Sequence, residues 1–143
     1  MKIIFVCTGN TCRSPMAEKI LKRKLKLCGK RGVTVSSAGL RVIPGDSTED
    51  KAIEALKTVG ISARKKKSVQ LTPEAAASAT YVVCMTAGHK AALLGCGVNN
   101  AVTLGELTGT GDISDPFGKS QEAYNLTALQ LAAAIELFAE KYL

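Results

Sequence analysis

Val6-Cys7-Thr8-Gly9-Asn10-Thr11-Cys12-Arg13-Ser14-Pro15 is the stretch whose reading decides the fold. It follows an apolar run, Lys2-Ile3-Ile4-Phe5-Val6, and precedes Met16-Ala17-Glu18-Lys19-Ile20-Leu21, whose spacing predicts a helix. A strand, a tight loop and a helix N-terminus together make a site for an anion, because unpaired backbone N–H groups and the helix dipole converge there. A cysteine and an arginine stand at the two ends of the loop, with five residues between them. The arrangement reads as a nucleophile facing the charge of its substrate.

Outward from the loop, strands and helices alternate. The first helix is expected to start at Pro15 with Ser14 as its cap, to bury Ala17, Ile20, Leu21, Leu25 and Cys28, and to end at Gly29 and Gly32. Val33 to Ala38 reads as a second strand, closed by Gly39. A loop from Leu40 to Ser47 leads to a helix capped by Ser47 or Thr48, with Ala52, Ile53, Leu56 and Val59 buried. Thr72-Pro73-Glu74 opens a short helix, Thr80 to Met85 is a third strand, Thr86 to Leu94 a helix and Ala101 to Leu104 a fourth strand. Gly105 to Gly118 is rich in glycine and reads as loop. In the last segment, Ser120 to Leu143, Tyr124, Ala128, Leu131, Ile135, Phe138 and Tyr142 mark the buried stripe of a helix. This alternation implies βαβ units around a parallel sheet, an α/β fold with residues 1–143 as one domain, and ligands bound beyond the carboxyl ends of the strands.

Composition narrows the chemistry. Ile3 to Val6 is too short for a signal-peptide core or a membrane span, so a soluble cytoplasmic protein with no membrane partner is expected. In that compartment the five cysteines stay reduced, and a disulfide framework is not expected. No C-x2-C spacing and a single histidine argue against a metal site, and no cofactor is called for. The net charge of +7 favours an anionic partner. Nucleic acid is the weaker choice, since Trp is absent and no aromatics interleave with the basic runs Lys19 to Lys30 and Arg64 to Lys67, which read as solvated faces. Cys28 and Cys84 read as packing residues, Cys96 as an exposed thiol, and His89 as a surface-helix residue.

A thiol at the floor of inward-pointing N–H groups, beside a guanidinium, is in a setting that favours thiolate. Gly9 and Asn10 tolerate the left-handed backbone that turns amides inward. Attack by Cys7 on phosphorus would give a phosphocysteine, with the oxygens of the bound group held by amides and a bidentate Arg13. The leaving atom needs a proton. Asp115 and Asp112, in Asp112-Ile113-Ser114-Asp115-Pro116-Phe117-Gly118, are both candidates for the acid, and Phe117 can wall the pocket.

At these residues the sequence resembles the low-molecular-weight protein tyrosine phosphatase family. Val6 to Glu18 matches its signature loop and first helix, Ser36-Ser37-Ala38-Gly39 its second strand, Cys84-Met85-Thr86 the end of its third, and Asp115-Pro116-Phe117-Gly118 its acid loop. The resemblance implies a four-stranded parallel sheet of order 2-1-3-4 flanked by helices, with the phosphate-binding loop after strand 1. It implies Cys7 as nucleophile, Arg13 as transition-state clamp and Asp115, rather than Asp112, as the acid. Thr8, Gly9, Asn10, Thr11, Cys12, Arg13, Ser14 and Phe117 would contact substrate, with phosphate-like oxyanions as inhibitors. Ser14 would hydrogen-bond the thiolate, Asn10 would hold strained geometry with Ser37 as partner, and Cys12 would protect oxidised Cys7 as a disulfide. Tyrosine phosphatases of the family usually carry an aliphatic residue where Thr11 stands. Thr11 resembles instead the bacterial protein arginine phosphatase branch, so phosphoarginine on proteins is the first expected substrate and phosphotyrosine the alternative. The loop from Leu40 to Asp46 lacks the pocket aromatic of several tyrosine phosphatases, with Ile43 near its place. An arsenate reductase would need a late, closely spaced cysteine pair, and Cys84 and Cys96 do not form one. A monomer is expected.

Overall fold

Lys2–Cys7 forms β1, in which Ile3, Phe5 and Cys7 face one layer, Ile4 and Val6 the other, and all five are buried. With both faces covered, the strand carries no polar alternation and reads in sequence as an unbroken apolar run. The computed structural model describes every residue from Met1 to Leu143. After β1 come α1 (Arg13–Leu27), β2 (Thr34–Gly39), α2 (Asp50–Thr58), α3 (Pro73–Ser78), β3 (Tyr81–Cys84), α4 (Ala87–Gly95), β4 (Ala101–Thr103), α5 (Leu104–Thr108) and α6 (Gln121–Tyr142). All strand pairs are parallel and the order is β2-β1-β3-β4, the expected α/β sheet.

The larger core lies on the Phe5 face, beneath α1, α2 and α6. There Phe5, Tyr81, Phe138 and Tyr142 pack with ring centroids 5.7 to 6.5 Å apart, mostly edge to face, the geometry that ring quadrupoles favour. A smaller core under α3 and α4 covers Ile4, Val6 and Val82 on the other face. The register pairs Cys7 with Gly39, Val6 with Cys84 and Cys84 with Thr103, so the loops leaving all four strands gather at one edge.

Several helix starts differ from expectation. α1 begins at Arg13 with Cys12 as N-cap and no side-chain cap, and Ser14 is buried inside its first turn. The loop itself holds that end, so the Ser14 hydroxyl is free for other partners. Glu49, not Ser47 or Thr48, is the N-cap of α2, because Thr48 Oγ1 is engaged with the backbone of Lys66. The segment after Ala101-Val102-Thr103 is not all loop. Thr103 and Glu106 form a reciprocal capping box that starts α5. Cys28 lies past the end of α1 and is exposed rather than packed.

Gly39 is where β2 passes closest to the loop after β1. A Cβ there would stand 2.7 Å from Val42 Cγ2 and 2.8 Å from the Thr8 carbonyl oxygen. Since the second neighbour is loop backbone, Gly39→Ala is expected to lower unfolding stability by about 1–3 kcal/mol, the usual cost of overpacking. Because the displaced atoms belong to the loop, kcat should fall as well; denaturant melts and steady-state turnover check the two effects.

Candidate active site

The loop from Thr8 to Cys12 is shaped by where its carbonyls go. The carbonyl of Cys7 accepts from Leu40 N at 3.0 Å, Thr8 from Arg41 N at 2.9 Å and Thr11 from Glu49 N at 2.9 Å. The carbonyl of Asn10 accepts from Ser68 Oγ at 2.9 Å, and that of Cys12 from Met16 N at 3.0 Å. With the C=O groups drawn outward, the opposite edges of the peptide planes turn toward the centre. No bond within the chain takes an amide proton from Thr8, Gly9, Asn10, Thr11 or Cys12. Such a ring of free donors is an anion cradle.

Asn10 is the only non-glycine residue with positive φ, at 57°. It is fully buried and its side chain is used completely. Nδ2 donates to Ser14 Oγ at 2.7 Å and to Ser37 Oγ at 3.0 Å, while Oδ1 accepts from Val69 N at 3.0 Å. Ser14 Oγ accepts from Asn10, lies 2.9 Å from Cys7 Sγ, and has the Ala38 carbonyl oxygen at 3.4 Å as a second partner for its proton. A thiolate at this position could only accept, and the Ser14 hydroxyl is within reach to donate to it.

The chain of bonds continues to residues that the sequence reading did not single out. Ser37 donates to Glu18 Oε1 at 2.6 Å, and Lys66 Nζ reaches the same oxygen at 2.9 Å and Ser37 Oγ at 3.0 Å. Lys22 holds Oε2 at 2.6 Å. Burial opposes ionisation of Glu18, but the bonds from Lys22, Ser37 and Lys66 outweigh it and hold the carboxyl below its ordinary value of 4.5. Lys66 is therefore not part of a solvated run. Glu18 lies four residues beyond Ser14 on the same helix face, so α-helical spacing alone would have placed it beneath the loop.

Arg13 is buried. Its Nη1 donates to Ile113 O at 3.2 Å and its Nη2 lies 3.5 Å from Asp115 Oδ2. Its Nε has no partner in the chain. Asp115 accepts from Phe117 N at 3.1 Å across Pro116, and its side chain is 54% exposed, open to an incoming group. Asp112 instead accepts from Ala87 N at the start of α4, which takes it away from the loop. A cleft of about 270 Å³ brings Cys7, Thr11, Cys12, Arg13, Asp115 and Phe117 together, with Thr8 and Gly9 on its wall. Asn10, Ser14 and Ser37 lie beneath it rather than on its surface.

Burial first, and then the charge of neighbouring Cys7, pushes the Cys12 thiol up to about 12, so it stays protonated. His89 is buried, not on a solvated helix face: Nε2 meets Thr8 Oγ1 at 2.9 Å and Nδ1 meets Thr86 Oγ1 at 3.0 Å. Burial and Arg13 lower its pKa, so the ring is neutral and bridges the loop to α4. No group of three or more His, Cys, Asp or Glu side chains is disposed to hold a metal ion. No helix is long and apolar enough to cross a membrane.

Residues 2–142 match the family described as low molecular weight phosphotyrosine protein phosphatase. The chain is 41% identical over 145 residues to a protein-arginine-phosphatase of Geobacillus stearothermophilus, covering 98% of this chain and 95% of the other. It is 37% identical over 134 residues to the low molecular weight protein-tyrosine-phosphatase PtpB of Staphylococcus haemolyticus, covering 92% of each. Among solved structures it superposes, at a TM-score of 0.88 and 39% identity over 99% of this chain and 95% of the other, on the YwlE arginine phosphatase, solved as a C7S mutant with a phosphorylated active site serine. The chain belongs to the low-molecular-weight phosphotyrosine protein phosphatase family.

The depressed pKa of Glu18 links the polar chain to pH. Its ionised form is favoured by folding, so its contribution is complete above 4.5, the ordinary value, and is lost as pH falls through the lower folded value. Glu18→Gln should therefore flatten the acid limb of the stability curve. It should also lower stability at pH 7 by about 1–3 kcal/mol, as expected when buried hydrogen bonds to a charge are lost. Chemical denaturation across pH 3 to 7 measures both.

Proposed function

We propose that this phosphatase hydrolyses phosphoarginine on proteins through a phosphocysteine intermediate. The observation that carries the phosphate reading is the set of free loop amides from Thr8 to Cys12 together with the unpaired buried Nε of Arg13. A buried guanidinium N–H without an acceptor costs about 1–3 kcal/mol. A tetrahedral oxyanion in the loop would remove that cost and accept from the amides.

In this mechanism the Cys7 thiolate attacks phosphorus and the bond to the leaving nitrogen breaks. Asp115 donates a proton to that nitrogen, while Arg13 and the loop amides hold the charge that spreads over the equatorial oxygens. Asp115, now a carboxylate, takes a proton from water, which attacks phosphorus, frees phosphate and restores the thiolate. Ser14 steadies the sulfur, and Asn10 and Ser37 hold the loop in shape. When Cys7 is oxidised to a sulfenic acid, the protonated Cys12 thiol condenses with it, releasing water and forming a disulfide. Phosphate and vanadate should compete for the same cradle. The enzyme is expected to work as a monomer in the cytoplasm.

Thr11 supports phosphoarginine over phosphotyrosine. It lines the cleft, and its hydroxyl bonds to no group of the chain, so it is free for the substrate. A hydroxyl suits a polar phosphoguanidinium or the hydrolytic water, whereas an aromatic ester gains more from an aliphatic side chain. The protein-arginine-phosphatase likeness points the same way, and the tyrosine-phosphatase likeness keeps phosphotyrosine as the second substrate to test.

Cys7→Ser should abolish turnover while phosphate still binds, as followed by steady-state kinetics and calorimetry. Asp115→Asn should slow poor leaving groups more than good ones; equal losses across a leaving-group series would remove it from the acid role. On matched phosphoarginine and phosphotyrosine peptides, Thr11→Ile should shift the ratio of kcat/KM toward phosphotyrosine by about tenfold, the size of one hydrogen bond to a charged group. A parent enzyme that prefers phosphotyrosine would overturn the substrate assignment.

A further inference from the structure

The segment from Leu40 to Glu49 runs beside the phosphate loop and is tied to it by the three backbone bonds to Cys7, Thr8 and Thr11. Near the end of that segment, Asp46 is fixed by its backbone: its amide donates to Ile43 O at 3.1 Å and its carbonyl accepts from Ser68 N at 2.9 Å. Gly45, at φ 91°, makes the turn that delivers it. Asp46 lines the same cleft as Cys7, Thr11 and Asp115.

The Asp46 carboxylate takes no hydrogen bond and no ion pair from the chain. Charges in the neighbouring hollow are engaged, Lys65 with Asp50 at 2.8 Å, Glu49 with the Tyr124 hydroxyl and Lys51 with Lys119 O, whereas Arg41, which lines the cleft with Asp46, takes no partner through its side chain. In a protein of net charge +7, Asp46 shares the cleft with Arg41 and is a carboxylate that no hydrogen bond or ion pair of the chain engages.

The geometry points to Asp46 as a specificity-determining residue that binds the guanidinium of the phosphorylated arginine. This rests on the phosphoarginine reading above. Bound phosphate is drawn to the loop amides and Arg13. The guanidinium attached to it must then lie toward the mouth, where Asp46 and Asp115 are the carboxylates of the cleft. Asp115 is occupied with the proton of the leaving nitrogen, which leaves Asp46 to accept from the remaining N–H groups, the planar pairing that carboxylates make with guanidinium. The contact persists as the leaving group departs as a full cation. A phosphotyrosine ring offers this carboxylate no donor and no charge, so Asp46 discriminates between the two substrates without taking part in chemistry at phosphorus.

The test uses the full chain and its Asp46→Asn variant, which keeps shape and removes charge. The first arm measures kcat/KM on matched phosphoarginine and phosphotyrosine peptides. The ratio is expected to fall at least about tenfold in the variant, the size of one hydrogen bond between charged groups. The second arm measures inhibition of p-nitrophenyl phosphate turnover by methylguanidinium in the presence of phosphate. The parent should be inhibited, with the inhibition constant raised at least about tenfold in the variant on the same grounds. An unchanged ratio in a parent that does prefer phosphoarginine overturns the role of Asp46 and leaves the substrate reading standing. If the parent prefers phosphotyrosine, the substrate reading falls. The second arm then decides alone: inhibition that depends on Asp46 upholds a guanidinium subsite, and its absence overturns it.

Discussion

The left-handed backbone at Asn10 is the constraint on which the site depends. An L-residue in that conformation costs roughly 1–2 kcal/mol, and only glycine and short polar residues adopt it readily. Asn10 meets the cost with four contacts: two from its amide nitrogen, one to its side-chain oxygen and one to its carbonyl. A glycine would take the turn without strain but would leave Ser14 and Ser37 without a donor between them. The residue both shapes the loop and orients the hydroxyl facing Cys7, so the backbone and the electrostatics of the sulfur are set by one side chain.

Beneath Asn10 the interior is charged, which needs explanation in so small a protein. An unpaired buried carboxylate would protonate rather than stay ionised. Glu18 stays ionised because two lysines and a serine hydroxyl satisfy it. Its negative charge fixes the direction of the Ser37 proton, which leaves the Ser37 oxygen to accept from Asn10. The Asn10 amide then donates to Ser14 Oγ, whose proton is left for Cys7 Sγ or the Ala38 carbonyl. A buried charge on α1 is thus connected to the hydroxyl beside Cys7 through an ordered chain of hydrogen bonds. A buried apolar cluster in the same place would pack equally well, but could not impose that order.

The fold was readable because its signals were local. β-branched and aromatic runs marked the strands, Thr72-Pro73, Thr86 and Ser120 capped helices as their types predict, and the strand–loop–helix at Cys7 fixed one end of the sheet. The cysteine, arginine and aspartate of the cleft came from motif and resemblance. What sequence reading missed came from long-range pairing. Lys66 lies 48 positions from Glu18, and a run of basic residues hides which one turns inward. His89 reads as a structural or solvated residue of a surface helix, and only the fold shows which, by bringing Thr8, 81 positions away, against its ring. For Ser14 local geometry favours a cap and the resemblance a partner of the sulfur; its helix end has no side-chain cap, and its hydroxyl lies 2.9 Å from Cys7 Sγ.

Choice of substrate follows from a division of labour in the cleft. In the proposed reaction the loop binds phosphate by shape and charge, and phosphate is the same group on tyrosine and on arginine. Cys7, Arg13 and the loop amides therefore cannot distinguish the two. Discrimination has to come from groups that face the leaving atom and what lies beyond it. Phe117 and Ile43, each 65% exposed, flank the mouth loosely, and no second aromatic side chain lines the cleft to sandwich a phenol ring. With the Thr8 hydroxyl taken up by His89, the polar groups left there are Thr11, Asp115 and Asp46, one free hydroxyl and two carboxylates set against Arg41. A leaving group that is planar, rich in N–H donors and cationic matches that surface, and a neutral aromatic ring does not. On this view a common phosphate machine takes its specificity from a rim carried on loops, where single substitutions can change the leaving group accepted without disturbing the buried chain that holds the nucleophile.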